Sequence, residues 1–445
     1  MPVSPARAAA FDILLRVEQQ DAYASELLHS DRLDKLSAAD RGLTTEIVMG
    51  VLRCRSRLDD ALATQSSRPL EKLDPQVLTA LRIAAYQFLY LSRVPARAAI
   101  NESVELVKRA RKASAAPFAN AVLRQLAEKT SVPSPIETQL DTSAAQLAYE
   151  FAHPEWLVER WAKHFGIERA EAICRHGQRI PTTAIRLDTA EVEAELQRDG
   201  IELAPGVLLT SARIVTSGDL TQARTYREGR VFIQDEASQL IAALVGKGAR
   251  VLDCCAAPGS KTAAIAARNP TAEIIAAELH PHRAELLRRR VRAANVQVIT
   301  ADVLQLALHD NFDRVLADAP CSGTGTLARN PDIKWRLKPQ DLHDLHAKQV
   351  AILDAALQQL APGGRAVYST CSLEPEENED VVEEALWDGS GYTLLDCRAE
   401  LEALRSSGEL ATFDFDSLLD GKFLQTIPGV QHCDGFFAAL IHRLS

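Results

Sequence analysis

The sequence predicts an α/β protein in which the last half of the chain forms a Rossmann-like sheet. Two short apolar runs at residues 312–317 and 365–368 have the composition of buried strands, and spaced apolar residues along 340–360 predict a helix between them. Pro362-Gly363-Gly364 is expected to end that helix. Because strand–helix–strand crossovers are right-handed, the two strands are predicted to be parallel.

A cysteine follows each of these two strands. Cys321 lies in residues 318–325 (DAPCSGTG), and Cys371 lies in residues 368–372 (YSTCS). The carboxyl ends of parallel strands form the edge at which open α/β sheets bind their ligands. The sequence therefore predicts two thiols that face one cleft. The alternative is a pair of buried structural cysteines, which is a common state of free cysteine.

Length and composition limit the class of protein. The chain has 445 residues, of which 47% are hydrophobic and 25% charged, so we expect a globular protein of two or three domains. It has no long apolar run and no signal-peptide pattern, which predicts a cytoplasmic protein without a membrane partner. Eight cysteines are too few for a disulfide scaffold, and without a C-x2-C pair no metal site is expected.

Charge is distributed unevenly along the chain. Counts of Lys+Arg against Asp+Glu are 19 and 16 for residues 1–138, 9 and 13 for 139–225, and 22 and 31 for 226–445, so the balances are +3, −4 and −9. Only the first third is basic. Its local concentrations are at residues 108–112 and at Arg53, Arg55 and Arg57. They fit contact with RNA phosphates, although a solvated helix face is by itself the more common explanation for such a cluster.

The sequence divides into three predicted domains, at residues 1–138, 139–228 and 229–445. Helical spacing of apolar residues, with Pro75 at a helix start, predicts a bundle of six or seven short helices before residue 130. A Pro/Ser-rich linker is predicted at residues 131–135.

The middle part is predicted to be a small α/β module. After a helical stretch with an apolar stripe, the strands are expected at 182–187, 207–209 and 230–233, and a helix at 191–199. The stripe is more typical of a core than of a base-stacking surface, and it consists of Trp156, Leu157, Trp161 and Phe165.

The last domain contains a small-residue turn at the position where Rossmann-like sheets bind a cofactor. A strand at 249–254 runs into this turn and then a helix, and the candidate cofactor-binding residues of the turn are Cys255, Ala256, Ala257, Pro258, Gly259, Ser260 and Lys261. The turn lacks G-x-G-x-x-G, which disfavours a pyrophosphate ligand, but N–H groups at a helix start can bind a carboxylate.

Two acids follow the next two strands. Glu278 stands where ribose hydroxyls are bound in such folds, and Asp302 is placed to meet an adenine amine. Each acid alone could equally cap a helix. Together with the turn, they predict a cofactor that carries adenosine.

The motifs at residues 253–262 (DCCAAPGSKT), 318–325, 369–372 and 434–437 (DGFF) resemble those of the S-adenosylmethionine-dependent RNA cytosine-C5 methyltransferases of the NOL1/NOP2/Sun family. Residues 1–130 are similar to the NusB-like helical domain that precedes the catalytic domain in bacterial small-subunit rRNA members of that family. The resemblance covers essentially the whole chain. Ser260 replaces a glycine that is usual in the family, which puts the affinity for the cofactor in question.

The resemblance implies a mechanism. Carbon 5 of cytosine is a poor nucleophile until a thiolate adds to carbon 6, and in the RNA enzymes that thiolate corresponds to Cys371. DNA cytosine methyltransferases instead use the cysteine of the Pro-Cys motif, here Cys321. In this chain Cys321 is the candidate for assisting release of the product, and Asp318 for hydrogen bonding N3 of the ring. Lys261 is a candidate either for holding the cofactor or for lowering a thiol pKa.

The implied substrate is a cytosine of 16S rRNA, single-stranded or flipped out because a duplex hides carbon 6. The protein is expected to act as a monomer. Two alternatives remain: a tRNA cytosine-C5 methyltransferase, and a non-catalytic RNA-binding factor in which only the NusB-like part acts. A series of arginines after Glu278 fits either an RNA-binding rim or salt bridges with Glu285, and it consists of Arg283, Arg288, Arg289, Arg290 and Arg292.

Overall fold

A computed structural model of the chain describes residues 3–20, 22–30, 33, 35–129, 143–187, 189–306, 308, 312–387, 391–411 and 414–445. The chain forms two compact units, one of residues 1–180 and 327–336 and the other of residues 181–326 and 337–445. The linker predicted at 131–135 lies outside the described residues. In the described part of the chain, no helix has both the length and the apolar character that crossing a membrane requires.

The first unit is helical. Its helices before the second unit begins are α1 Pro5–Gln20, α2 Ala24–Leu28, α3 Ala38–Arg53, α4 Arg55–Ala63, α5 Pro75–Tyr90, α6 Ala96–Arg109, α7 Ala116–Glu128, α8 Ser143–Glu150, α9 Glu155–Phe165 and α10 Ile167–Gly177. The prediction of six or seven helices before residue 130 is confirmed, with Pro75 as the first residue of α5. In the predicted stripe, Leu157 and Trp161 are buried, as a core residue should be.

Close packing in the helical unit explains one residue of its sequence. Gly50 lies on α3 against the ring of Tyr86 on α5, and a Cβ atom at Gly50 would lie 1.8 Å from Cζ of Tyr86. Only glycine fits this approach, since any side chain would force the two helices apart. The hydroxyl of Tyr86 then donates a hydrogen bond of 2.6 Å to Glu46.

A small α/β module begins the second unit. Its elements are β1 Thr183–Arg186, α11 Ala190–Arg198, β2 Glu202–Pro205, β3 Ala212–Ser217, α12 Arg224–Arg227 and β4 Phe232–Ile233. The four strands form an antiparallel sheet in the order β2-β3-β1-β4.

The strand predicted at 207–209 is wrong. These residues connect β2 to β3, and the backbone N–H groups of Val207, Leu208 and Leu209 donate to the buried carboxylate of Glu236 instead of to a neighbouring strand. Their apolar side chains are suited to burial, but the hydrogen bonding of their backbone is satisfied by a side chain distant in sequence.

The rest of the second unit is built around a nine-stranded sheet. Its elements are α13 Glu236–Leu244, β5 Arg250–Asp253, α14 Ser260–Arg268, β6 Glu273–Glu278, α15 Pro281–Arg290, β7 Val296–Thr300, β8 Phe312–Asp318, α16 Ile333–Arg336 (part of the first unit), α17 Pro339–Gln358, β9 Leu360–Thr370, α18 Glu379–Ala385, β10 Tyr392–Leu395, α19 Cys397–Ser406, β11 Leu419–Asp420, β12 Phe423–Thr426 and β13 Phe436–Arg443.

The strand order positions the functional edge. The sheet runs β11-β12-β13-β9-β8-β5-β6-β7, with β10 paired to β13. Strands β5 to β9 are mutually parallel, and β13 is antiparallel to β9. From β5 the chain proceeds to β6 and β7 on one side and later to β8 and β9 on the other. This reversal between β5 and β8 is a switch point, where such sheets bind ligands.

The predicted helix between β8 and β9 is confirmed, but its end is not where the sequence placed it. Helix α17 ends at Gln358, and Leu360, the first residue of β9, already pairs with Phe312 of β8. Pro362-Gly363-Gly364 lies within the long strand, at a shift of register between β8 and β9, rather than at the end of the helix. Gly364 fits this irregularity because a Cβ atom there would lie 2.9 Å from the carbonyl oxygen of Phe312.

Candidate active site

The turn after β5 leads directly into α14, as predicted. Gly259 precedes the helix with φ of 107°, a left-handed conformation that strongly favours glycine. A Cβ atom there would also lie 2.7 Å from side-chain carbons of Leu287 and Val291. Ser260 is the first helical residue. The conformational demand of the turn therefore falls on Gly259, and serine at position 260 is compatible with the backbone.

The two predicted cofactor acids lie at the ends of β6 and β7. Glu278 is buried, and its Oε1 accepts a hydrogen bond of 2.9 Å from the backbone N–H of His280. Asp302 accepts one of 3.0 Å from the N–H of Leu304 and so caps a short 3-10 turn. Asp302 thus has the capping role that the sequence left open, whereas Glu278 accepts from the N–H of the residue before α15, and each carboxylate is oriented by its contact.

Sequence analysis missed Asp253, the last residue of β5. This carboxyl is fully buried and accepts a hydrogen bond of 2.7 Å from Thr262 of α14. Burial raises the pKa of Asp253 to about 7. Its position at the end of a strand beside the candidate cofactor turn was the signal in the sequence.

The two predicted thiols meet. Cys321, after β8, and Cys371, after β9, are free cysteines whose Sγ atoms lie 3.2 Å apart. The backbone N–H of Cys371 also donates to Sγ of Cys321 over 3.3 Å. The hydrogen bond with Cys371 and burial raise the pKa of Cys321 well above its ordinary value. Cys321 is therefore a protonated thiol at neutral pH.

Asp318 lies beside a buried cation. Its carboxylate accepts a hydrogen bond from Ser369 Oγ at 2.8 Å and pairs with Nζ of Lys261 at 2.8 Å. The Lys261 ammonium also lies 4.9 Å from the centre of the Phe436 ring. Burial alone would lower the pKa of Lys261, but the charge and hydrogen bond of Asp318 outweigh burial, and the pKa is raised. Lys261 is thus a fixed positive charge.

Glu377 joins the loops that carry the two cysteines, and sequence analysis missed it. This fully buried carboxylate accepts hydrogen bonds from the N–H and hydroxyl of Ser322, next to Cys321, and from the hydroxyl of Ser372, next to Cys371. Gln349 of α17 donates to it as well, over 2.9 Å. The acidic run directly after the Cys371 motif was the available signal.

The motif at 434–437 has a packing role at the same edge. Gly325 and Gly435 are in direct contact, since a Cβ atom on Gly325 would lie 2.2 Å from the carbonyl oxygen of Gly435. The N–H of Gly435 donates to the carbonyl of Gly325 over 2.8 Å. The N–H of Gly325 in turn donates to the carbonyl of Cys371 over 2.9 Å. Glycine at both positions lets three backbone segments approach around the thiols.

Basic side chains of the two clusters that were predicted to contact phosphates make contacts within the protein. Arg53 is buried, and its guanidinium donates to the carbonyl of Ala328 at 3.1 Å. Arg55 pairs with Glu18, and the Arg57 guanidinium lies over the ring of Tyr149. In the second concentration three ion pairs form, namely Lys108–Glu105, Arg109–Asp12 and Lys112–Asp74. The interpretation of Arg53 as a phosphate ligand is wrong because its side chain is buried.

The arginines of α15 divide between the two predicted roles. Arg288 and Arg289 pair with Glu285, and Arg283 donates to the carbonyl of Ala257 in the cofactor turn. Arg289 also lines a cavity of about 330 Å³, together with Arg227, Arg290 and Arg292. The remaining walls include Tyr226, Phe232, Pro258 and Ser260.

The parallel sheet, the turn at its switch point and the cysteines at its carboxyl edge define a Rossmann-like methyltransferase. The chain belongs to the RsmB/F family of 16S rRNA methyltransferases, and the model of this family matches residues 243–442. The NusB family matches residues 4–128, and a ferredoxin-like domain of RsmF/B-like methyltransferases matches 153–218. The family resemblance and the predicted fold class are confirmed, and the chain is an rRNA methyltransferase.

Relatives cover nearly the full length of the chain. A Bacillus subtilis protein named "Probable ribosomal RNA small subunit methyltransferase B" is 36% identical over 86% of this chain and 88% of its own length. A Vibrio cholerae "Ribosomal RNA small subunit methyltransferase B" is 31% identical over 98% and 97%. The crystal structure of PH0851 has the same fold, with a TM-score of 0.78, 23% identity and full coverage of both chains.

Proposed function

We propose that this protein methylates carbon 5 of a cytosine in small-subunit rRNA, with S-adenosylmethionine as methyl donor and a covalent adduct between Cys371 and carbon 6. The observation that carries the proposal is the 3.2 Å separation of the Cys321 and Cys371 Sγ atoms at the carboxyl edge of β8 and β9, with Asp318 at the end of β8. Two thiols suit a reaction that must both form and break a carbon–sulfur bond.

Cys371 is proposed as the nucleophile. Its thiolate forms a bond to carbon 6, the electron pair of the 5,6 double bond passes towards N3, and N3 takes a proton from solvent water. The Asp318 carboxylate accepts a hydrogen bond from the resulting N3–H. Carbon 5 is now nucleophilic and takes the methyl group that S-adenosylmethionine supplies. The sulfonium of the cofactor thereby becomes a neutral thioether. Lys261 orients the Asp318 carboxylate through their 2.8 Å ion pair.

Cys321 is proposed to assist release. After methyl transfer, carbon 5 and N3 each lose a proton to solvent water, the 5,6 double bond re-forms, and the bond from Cys371 to carbon 6 breaks, which returns the thiolate. Cys321, whose pKa is raised by the hydrogen bond with Cys371 and by burial, is a thiol within hydrogen-bonding distance of the Cys371 sulfur. It can stabilise the departing thiolate by donating this hydrogen bond.

The cofactor is proposed to bind across the switch point, with its carboxylate at the start of α14 and its adenosine near the two acids. The N–H groups at the start of α14 are free of intrahelical partners, as at any helix N-terminus, and residues 255–261 form the cradle. Glu278 would hold the ribose and Asp302 the adenine. Each of these carboxylates is already oriented by a hydrogen bond from a nearby backbone N–H group.

The arginine-lined cavity beside the turn is proposed as footing for single-stranded RNA. Four arginines line it in a region whose net charge is negative, and Tyr226 and Phe232 offer aromatic surface for a base. Arg290→Glu should reduce the slope of log affinity against log salt by about 0.7 for each lost phosphate contact. Arg405→Glu, on the exposed face of α19, is the matched control. An unchanged slope in Arg290→Glu would remove the cavity from the RNA path.

Bisulfite mapping tests the proposed reaction in the cell. Deletion of the gene should remove one 5-methylcytosine from 16S rRNA, and the intact protein should restore it while a Cys371→Ala variant should not. Loss of a tRNA mark with unchanged rRNA would contradict the choice of substrate.

The three predicted domains are also part of the proposed function. Residues 1–138 would contact RNA, residues 139–228 would form a connecting module, and residues 229–445 would carry out the chemistry.

A further inference from the structure

Ten residues of the catalytic region fold as part of the helical unit. The chain leaves the sheet-containing unit after Thr326, and Leu327–Arg336 belongs with residues 1–180 before the chain returns at Leu337. We call residues 327–336 the docked segment. It begins six positions after Cys321, at the end of the loop that carries this thiol. The backbone of the thiol-bearing loop is thus continuous with the helical unit.

The docked segment is bound to the carboxyl end of α3. The indole N–H of Trp335 donates to the carbonyl of Leu52 at 2.5 Å, and Nζ of Lys334 donates to the carbonyl of Arg53 at 3.1 Å. The last carbonyls of a helix have no partner within the helix, and here two of them are satisfied by the segment. In the reverse direction, the Arg53 guanidinium donates to the carbonyl of Ala328.

Lys334 reaches a second part of the helical unit. Its Nζ donates to the carbonyl of Ala152, before α9, at 2.6 Å, and lies 5.1 Å from the centre of the Trp335 ring. Only 1% of Lys334 is exposed. Burial of an ammonium against backbone carbonyls is costly relative to an apolar side chain of similar size, so stability alone does not explain a lysine here. What it contributes is two directed hydrogen bonds and one contact with an aromatic ring, all at one point.

The thiol-bearing loop is fixed at its other side by different contacts. Glu377 holds Ser322, and Gly435 packs on Gly325, as described above. Between Gly325 and the docked segment lies Thr326 alone. Hence a shift of the docked segment is transmitted along one or two peptide units to the backbone near Gly325, and from there to Cys321 and Cys371.

We infer that Lys334 and Trp335 are positioning residues for methyl transfer, which hold the docked segment on α3 and through it the geometry of the two thiols. The helical unit then contributes to the rate of the chemical step as well as to RNA contact. This inference rests on the proposed function of Cys321 and Cys371. Leu52 and Arg53, at the end of α3, supply the docking carbonyls.

The test compares the chemical step with RNA binding in the full-length protein. In Lys334→Met and Trp335→Phe, single-turnover methylation should slow by about 10- to 100-fold, the usual effect of displacing reacting groups by about 1 Å. RNA affinity should stay within about twofold of the unmodified protein, because Lys334 is buried and Trp335 is partly buried and hydrogen-bonded to α3. Lys422→Met and Trp387→Phe, both on exposed side chains, are the matched controls.

Two further readouts separate positioning from mere loss of folding. The rate of alkylation of Cys321 and Cys371 should change in Trp335→Phe, which removes a single hydrogen-bond donor and should remain folded. A variant with a lowered melting temperature but unchanged methylation and alkylation rates would contradict the inference. If the unmodified protein itself transfers no methyl group to RNA, the proposed function fails; if it does and both variants match it, only the positioning inference fails.

Discussion

Particular charged groups of the two units are held away from solvent in different ways. In the sheet-containing unit, Lys261 pairs with Asp318, and the buried Glu377 accepts from two serines and Gln349. In the helical unit, Lys334 is buried against the backbone carbonyls of Arg53 and Ala152. The first arrangement gives each charged group partners of opposite charge or several hydrogen-bond donors, whereas the second fixes the position of a backbone segment at a cost in charge burial.

The same contrast explains why the sequence was more informative for one unit than for the other. In the catalytic region the polar motifs lie at strand ends, so periodicity and crossover rules were sufficient to bring Cys321 and Cys371 to one edge. In the helical unit the charge clusters suggested an RNA-binding surface, yet Arg53 is buried. A local concentration of arginines in sequence does not indicate whether the helix face they share is exposed.

The largest effect expected in the catalytic unit is at Glu377. Glu377→Gln replaces an acceptor of several hydrogen bonds with an amide that presents N–H groups to the same donors, at a cost of about 2 to 4 kcal/mol in the free energy of unfolding. Chemical denaturation measures this cost, and single-turnover methylation should slow as well because both cysteine loops lose their common anchor. Asp380→Asn, on an exposed carboxylate, is the control, and equal stability of the two variants would contradict the role given to Glu377.

The buried Lys334 of the helical unit should make the free energy of unfolding depend on pH. Burial lowers the pKa of Lys334 to about 7, while an unfolded lysine titrates near 10.4. Between these values the unfolded state binds more protons, so the free energy of unfolding should rise with pH, on the order of a few kcal/mol across the window.

Comparison with Lys334→Met isolates this contribution, since other groups titrate in both proteins. The difference in free energy of unfolding between the two proteins should change steadily from about pH 7 to about pH 10. A difference that is constant over this range would mean that Lys334 titrates normally in the folded state.

A moderate effect is expected at the cofactor acids. Glu278→Ala and Asp302→Ala should each weaken binding of S-adenosylmethionine by about 1 to 3 kcal/mol, the usual value of a charge-assisted hydrogen bond. Calorimetry on the folded variants measures the affinity. Since Asp302 also caps a 3-10 turn, Asp302→Asn, which can retain the cap, separates the two roles. Unchanged affinity in both alanine variants would remove these acids from the site.

The smallest effect is expected at Ser260. Ser260→Gly introduces the residue that is usual in the family, but the left-handed position of the turn is already occupied by Gly259. Cofactor affinity should therefore change by less than about 0.5 kcal/mol, as for most substitutions outside specific contacts. Gly259→Ala is the informative comparison, because its Cβ would meet Leu287 and Val291, and it should weaken binding strongly.

How far prediction reached depends on the sequence separation of the contacts. Strands β5 to β9 and helix α17 were predicted because their signals lie within a few residues. Glu377 was missed because its partner Ser322 lies 55 residues away, and the docked segment was missed because its contacts with α3 span more than 270 residues. The false strand at 207–209 has the same cause, since Glu236 provides its acceptor from outside any local window.

The account depends most on the separate roles of the two thiols, and trapping of RNA on the protein tests these directly. With RNA and S-adenosylmethionine present, Cys321→Ala should methylate but release slowly, leaving an RNA–protein adduct that survives denaturing electrophoresis. Cys371→Ala should form neither product nor adduct, and the adduct should vanish in the double variant. If Cys371→Ala traps RNA while Cys321→Ala is inert, the nucleophile is Cys321 and the proposed mechanism is wrong.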